Sequence, residues 1–322
     1  MLFRSNTFNV VPDDLPLLNA LALLFDLEEQ SVFVDLDKRV RFEEFLSYSH
    51  VITGLKVRLE FQGHLKFLTE CKSLYPRLNQ LHVSIHFNPY LRQLFVEMLR
   101  SDTLVTNIEL CMSSMDAEGA RVLSDVLKVN TTIRSFTLSM SPINDEGAIE
   151  LARALTVNTT VTDVGLCWSG IQDKGIKSIA DMLKVNTSVR NINLSGNCLK
   201  VDNVRALVEG LRLNDAVVSL DLGTNSIEDE GARLLAKLLK VNTTIRSVGL
   251  TNCSIGYEGA KELADMLIVN NTVTSIHLGL NSFGVDGAKA IADALKINTA
   301  VRRIDLRDNS IGEEGVAAFT SV

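Results

Sequence analysis

From Val105 onward the sequence repeats every 28 residues without an insertion, and no other feature narrows the possible folds as far. An apolar triplet marks each unit: Val105/Ile108/Leu110, Ile133/Phe136/Leu138, Val161/Val164/Leu166 and Val189/Ile192/Leu194. It continues through Val217/Leu220/Leu222, Ile245/Val248/Leu250, Val273/Ile276/Leu278 and Val301/Ile304/Leu306, eight units in strict register. The unit reads NTxVxxIxLxxNxIxDxGAxxLAxxLKV, with Asn242 to Val269 a good example. One such unit cannot bury its apolar face alone. Stacked units can, so the expected product is a solenoid with a continuous core.

Each unit divides into a strand and a helix. The Ile-x-Leu alternation has the period of two expected of a short strand. The second half carries apolar residues at helical spacing, as in Ala232, Leu235, Ala236 and Leu239. Acids such as Glu228 and Asp229 stand at the helix start, where they can accept from free N–H groups and oppose the dipole. Asn130, Asn158, Asn186, Asn214, Asn242, Asn270 and Asn298 recur just past the helices, and the expectation is a left-handed helix end. The column Gly119, Gly147, Gly175, Gly231, Gly259, Gly287 and Gly315 is expected to let neighbouring helices approach. Asn203 interrupts it, so the helix of that unit is expected to sit apart.

The first hundred residues are built differently. They hold ten of the 13 Phe and four of the five Pro within positions 1–95, whereas 17 of 19 Gly lie after position 100. Leu78, Leu81 and Val83 form a triplet 27 residues before Val105, and Leu55 and Val57, then Val32 to Leu36, mark two more irregular strands. Helical stretches are expected at Tyr90 to Leu99, Leu65 to Cys71 and Phe42 to Leu46, with an amphipathic opening helix from Asp13 to Leu24. The expected organisation is a cap and irregular repeats over 1–104, then eight regular repeats over 105–322, the last incomplete, in one continuous solenoid.

The core V-x-x-I-x-L-x-x-N at Val189 to Asn197 and V-x-x-L-x-L-x-x-N at Val217 to Asn225 resembles the leucine-rich repeat family. The uniform 28-residue unit with a full helix is similar to its ribonuclease-inhibitor-like subfamily, which includes ribonuclease inhibitor, the Ran GTPase-activating protein, tropomodulin and immune-receptor arrays. The resemblance covers Val105 to the C-terminus. It implies an α/β fold: a curved solenoid with a parallel sheet on the concave face and helices on the convex face. It also implies that the concave face is the usual docking surface. It says little about which function, because the relatives do unrelated things.

Enzyme and nucleic-acid signatures are missing from the sequence. Thirty-nine acids against 32 bases give a net charge of −7 and there is no long basic run, so no nucleic-acid partner is expected. No apolar stretch reaches the length of a membrane span. The first residues, Met1 to Asp14, show no signal peptide, which makes a cytoplasmic location the default. Five cysteines without CxxC spacing indicate neither a disulfide framework nor structural zinc. None of the five histidines, His50, His64, His82, His86 and His277, sits in HExxH; GxSxG, GxxxxGK[ST] and GxGxxG do not occur. No catalytic residue, cofactor or metal is expected. The sequons at Asn130, Asn158, Asn186, Asn242 and Asn270 read as by-products of the repeat.

Function is therefore expected on the strand face, where positions between the apolar ones point outward in columns about 4.8 Å apart. One column reads His82, Glu109, Thr137, Gly165, Asn193, Asp221, Gly249, His277, Asp305. Another holds Ser139, Cys167, Ser195, Gly223, Thr251, Gly279 and Arg307; the next holds Met112, Met140, Trp168, Gly196, Thr224, Asn252, Leu280 and Asp308. Met112, Met140 and Trp168 form an apolar strip that either contacts a partner or folds inward as core. Gly165, Gly196, Gly223, Gly249 and Gly279 either leave a smooth trough or merely ease curvature. Protein-binding residues are expected among Met112, Met140, Trp168, Glu109, Thr137, Asn193, Asp221, His277, Asp305 and Arg307.

The last strand region carries five charges, Arg302, Arg303, Asp305, Arg307 and Asp308. These either protect an edge strand or mark an end that docks a partner or a second copy. The leading expectation is a non-catalytic scaffold or adaptor holding another protein. The alternative is a regulatory protein resembling the Ran GTPase-activating protein, with Arg134, Arg190 and Arg246 as the candidate polar groups.

Overall fold

The computed structural model describes residues 105–110, 115–320 and Leu99 in full, and residues 7–10, 31–36, 54–59 and 80–85 as backbone strands. Twelve strands form one parallel sheet in chain order: β1 Thr7–Val10, β2 Ser31–Leu36, β3 Gly54–Leu59, β4 Gln80–Ile85, β5 Val105–Glu109 and β6 Ser135–Thr137 come first. β7 Asp163–Gly165, β8 Asn191–Asn193, β9 Ser219–Asp221, β10 Ser247–Gly249, β11 Ser275–His277 and β12 Arg303–Asp305 follow. Between the later strands run α1 Ala117–Leu127, α2 Asn144–Val157, α3 Asp173–Leu183, α4 Val201–Leu211, α5 Glu228–Leu239, α6 Tyr257–Val269, α7 Gly284–Ile297 and α8 Gly312–Ala317. Sheet and helices make two layers of an α/β repeat solenoid, each helix packed on the next. The helices expected over 13–24, 42–46 and 65–71 lie outside the described residues, as does that over 90–99 except its end, the buried helical Leu99.

Within the regular units the register follows the repeat: Phe136 pairs with Val164, Ile192 with Leu220 and Ile276 with Ile304. The join to β4 departs from it. Leu81 pairs with Val105 and Val83 with Ile108, because the register shifts between Leu81 and His82. His82 therefore neighbours Asn107, not Glu109, and the 27-residue alignment of the Leu78/Leu81/Val83 triplet does not hold.

The core lies between the layers. The triplets from Val105 to Leu278 are buried together with the inner helix faces, such as Leu235, Ala236 and Leu239. Val301, Ile304 and Leu306 of the last unit are only half-buried, since a neighbour covers them on one side alone.

Buried polar ladders tie the units together, and they correct the expected role of the asparagines. Asn158, Asn270 and Asn298 are extended (φ −76, −86 and −77°), not left-handed. Their work is done by the side chain. Asn186 Nδ2 donates to Leu155 O and Asn158 O of the preceding unit, while its Oδ1 accepts from the N–H groups of Ser188 and Val189. Asn158, Asn214 and Asn298 repeat this pattern. A second ladder runs through Asn197, Asn225 and Asn281, whose Nδ2 reaches back to Leu166, Leu194 and Leu250 carbonyls. Ser141, Ser169 and Cys253 fill the same place in other units, donating to Leu110, Leu138 and Leu222 carbonyls. These bonds satisfy helix-end and turn groups that burial would otherwise leave unpaired.

The helix starts are cross-tied as well. Asp116 caps its own helix through Gly119 N. Asp145 instead accepts from Gln172 and Gly175 N–H at the start of the next helix, and Asp229 from Gly256 N–H. The glycine column serves close packing: a Cβ on Gly147 would meet Ala120 Cβ at 2.8 Å and one on Gly315 would meet Ala288 Cβ at 3.2 Å. Asn203, which breaks the column, donates to Asp173 Oδ1 and accepts from Lys200 N–H. Its helix α4 stays close to α3, where Gly210 lies on the Ala180 backbone, but packs less closely on α5. In keeping with that gap, Asn242 Oδ1 caps Thr244 and Ile245 N–H, yet its Nδ2 makes none of the back-reaching bonds of its counterparts.

Candidate functional site

The three-residue strands end at an inward leucine, and two residues later the backbone turns into the left-handed region at the same place in every described unit. Met140, Trp168, Gly196, Thr224, Asn252, Leu280 and Asp308 all have φ between 53 and 69°. Sheet pairing runs through this turn: Met140 N donates to Cys167 O, Trp168 N to Ser195 O and Leu280 N to Arg307 O. A Cβ at positive φ is strained by about 1–2 kcal/mol, and glycine, Asn and Asp tolerate it best. Met, Trp and Leu are poor choices for that backbone.

These side chains do not fill core. Met140 is 55% exposed, Trp168 50% and Leu280 53%. The inward-folding reading of the strip is thus ruled out for Met140 and Trp168; Met112 lies outside the described residues. The indole of Trp168 rests on the next unit: a Cβ on Gly196 would lie 2.4 Å from Trp168 Cδ2. Gly196 is therefore a seat for the ring.

Other strand-face glycines act likewise, which corrects both the trough and the curvature readings for them. A Cβ on Gly165 would strike Thr137 Oγ1 at 2.7 Å, and one on Gly249 would strike Asp221 Oδ1 at 2.3 Å. Each makes room for the side chain of the preceding unit.

The remaining expected residues share the strand face. Glu109, Thr137, Asn193, Asp221, His277 and Asp305 occupy one half-buried column, and Arg307 is exposed beside its end. Asn193, Asp221 and Asp305 each accept the N–H two residues on, from Ser195, Gly223 and Arg307. His277 Nε2 lies 3.1 Å from Ser275 Oγ. A polar hollow of about 340 Å³ opens here, lined by Ser219, Asp221, Ser247, Gly249, Thr251 and His277 among others. Beyond it, Arg307 forks onto Asp305 at 2.9 and 2.6 Å. That guanidinium holds the Asp305 carboxyl down at about 2. Burial pushes the Cys253 thiol up to about 12, so it is inert at neutral pH.

The structure brings the strip and the column to one face, with the strip on its rim. It does not bring Arg134, Arg190 and Arg246 together. All three are exposed beside the strand starts, at the end away from Trp168, and successive ones stand two units apart. Among the described residues no three His, Cys, Asp or Glu side chains converge on one point, and no helix is long and apolar enough to cross a membrane. The sequon amides of Asn158, Asn186 and Asn270 are buried and donate to backbone carbonyls, which leaves them closed to glycosylation.

One surface the sequence reading passed over is the opposite edge, where helices end and strands begin. Val129, Val157, Val185, Leu213, Val241, Val269 and Ile297 stand there 28 residues apart, each 56–80% exposed. The signal was in the repeat itself, whose closing Lys-Val falls off the inward stripe of the helix.

The Leucine Rich repeat family matches residues 129–152, 217–236, 241–264, 269–292 and 298–319. No curated protein matches the sequence. Two solved structures are similar in part. The leiomodin-1 actin-binding site 2 is 21% identical with a TM-score of 0.39, over 46% of this chain and 87% of that one. The tropomodulin C-terminal domain from Caenorhabditis elegans is 16% identical with a TM-score of 0.35, over 56% of this chain and 91% of that one. The sequence matches, the two-layer architecture and the asparagine ladders lead to one statement: the repeated units of this chain are leucine-rich repeats.

Proposed function

We propose that this array is a non-catalytic scaffold that holds a partner protein against its strand face, anchored on the rim by Met140 and Trp168. The observation that carries the reading is the placement of these two large apolar side chains. They stand in consecutive units, about half exposed, on a backbone that penalises them, with a glycine seat under the ring. Folding gains little from such an arrangement, whereas a partner would bury both. The polar hollow at Asp221 and His277 lies two to four units along the same face. It suits polar or cationic side chains of the same partner, with the Asp305–Arg307 pair at the far end. The expected cytoplasmic setting belongs to this proposal.

Trp168 is the only tryptophan, so its emission reports directly on the site. Affinity capture from the source cell with wild type and with a Met140→Glu/Trp168→Glu variant tests the reading. The expected result is a partner retained by wild type, lost by the double variant and able to blue-shift Trp168 emission. A partner held equally by both, with unchanged emission, would move the site off this rim.

A further inference from the structure

The aliphatic column from Val129 to Ile297 plays no part in the strand-face reading, and folding does not explain it. These side chains stand where helices end, 56–80% exposed, although a polar residue would serve a helix exit as well. Cations flank the column on both sides. Lys184 and Lys240 precede members of it, and Arg190 and Arg246 follow at the strand starts. Some of these cations are neutralised locally, as Lys184 is by Asp181, but Lys240, Arg190 and Arg246 make no ion pair among the described residues.

The opposite edge of the same units is its chemical complement. The helix starts there carry Asp145 and Glu146, Glu228, Asp229 and Glu230, and Glu313 and Glu314. Between them the rim exposes Met140, Trp168 and Leu280, with Tyr257 nearby. One edge is basic with an aliphatic ridge, and the other is acidic with an apolar rim. Both recur with the period of the unit, since the same units make both.

We propose that the ridge edge of one molecule docks on the acidic edge of a second copy, unit against unit. Charge complementarity and the shared period argue for this occupant. A second copy matches the spacing of the ridge by construction, whereas a foreign surface would have to match it by chance. Ridge-on-ridge pairing would set cations against cations. An anionic lipid surface would meet the acids Asp125, Asp181, Asp215 and Asp293 on the same edge. The contact joins two different surfaces, so it does not close at a dimer and extends with concentration. It also covers the rim of every copy but one, so assembly competes with the partner capture proposed above.

Sedimentation velocity of the full chain, from 1 to 100 µM at low and high salt, tests this. The expected result is a weight-average mass that climbs past the dimer with concentration and falls with salt. Two surface variants sharpen it. Val185→Glu/Leu213→Glu/Val241→Glu removes the ridge, and Met140→Glu/Trp168→Glu/Leu280→Glu removes the rim. Each is expected to keep its circular dichroism spectrum and remain monomeric alone, whereas an equimolar mixture forms a heterodimer and stops. A monomeric wild type at 100 µM and low salt would overturn the proposal, as would growth that ends at a dimer or a mixture that does not pair. Co-sedimentation with phosphatidylserine vesicles that is lost in the ridge variant would assign the ridge to a membrane and overturn it too. Partner capture by the ridge variant stays intact, which keeps a failure here separate from a failure of the rim reading.

Discussion

Two columns of this solenoid obey the same 28-residue period and opposite rules. The inner asparagines at the helix exits are the same residue in every regular unit, and their amides are spent on backbone groups of two adjacent units. The rim column keeps the same left-handed backbone in every described unit from Met140 on, but its residues run Met, Trp, Gly, Thr, Asn, Leu, Asp. Where a side chain closes a buried hydrogen-bond circuit, one amide fits and substitution leaves several orphans. Where only the backbone is specified and the side chain faces outward, composition is free for recognition. The first column builds the stack, and the second individualises it.

The largest expected effect lies in the inner column. Asn186→Ala would strand the carbonyls of Leu155 and Asn158 and the N–H groups of Ser188 and Val189. Leaving these unpaired in a buried place costs on the order of 3–5 kcal/mol. Asn242→Ala should cost distinctly less, about 1–2 kcal/mol, since only the Oδ1 bonds to Thr244 and Ile245 are lost. Urea unfolding of both variants measures the difference. Equal losses would mean that the wider spacing between α4 and α5 does not weaken the ladder there.

At the rim the expectation reverses. Trp168→Gly relieves the left-handed strain and removes an exposed ring, so stability should hold level or rise by up to about 1 kcal/mol while partner capture is lost. Thermal unfolding run beside the capture assay separates the two readouts. A loss of stability comparable to that of Asn186→Ala would make Trp168 a structural residue and dissolve the contrast between the columns.

Much of this was legible in the sequence, because a strict repeat converts position into depth. The triplet Val217/Leu220/Leu222 had to face inward if one unit was to cover the next, and the strand and helix of that unit follow from its periods. The asparagines were recognised as fixed points but given the wrong backbone. Asn commonly ends helices in the left-handed region, and nothing local shows that a carbonyl of the preceding unit awaits its amide. The rim glycines were misread for a related reason. Gly196 and Gly249 look like empty space in a single unit, and they become seats only when Trp168 and Asp221 of the neighbouring units are placed over them. At β4 the triplet spacing misled by two residues, because the bulge at Leu81/His82 leaves no mark in the apolar pattern. The ridge at Val129 to Ile297 was visible in the consensus but was absorbed into the helix as one more apolar position.

The smallest effect separates two acids of one strand-face column. Asp221 and Asp305 both accept the N–H two residues on, but only Asp305 also holds a guanidinium. Arg307 lowers the Asp305 carboxyl to about 2, chiefly through the side-chain hydrogen bond. Because this lies below the value of about 3.9 in an unfolded chain, the pair stabilises the folded state above pH 4. That contribution disappears as the pH falls through 2. Arg307 is 83% exposed, so the effect on overall stability is slight and a titration reads it better than a melting curve. A carbon-detected NMR titration should place the Asp305 carboxyl midpoint near 2 in wild type and return it toward the usual carboxylate range in Arg307→Gln. An unmoved midpoint in that variant would show that the backbone N–H, which Asp221 also has, sets the acidity by itself.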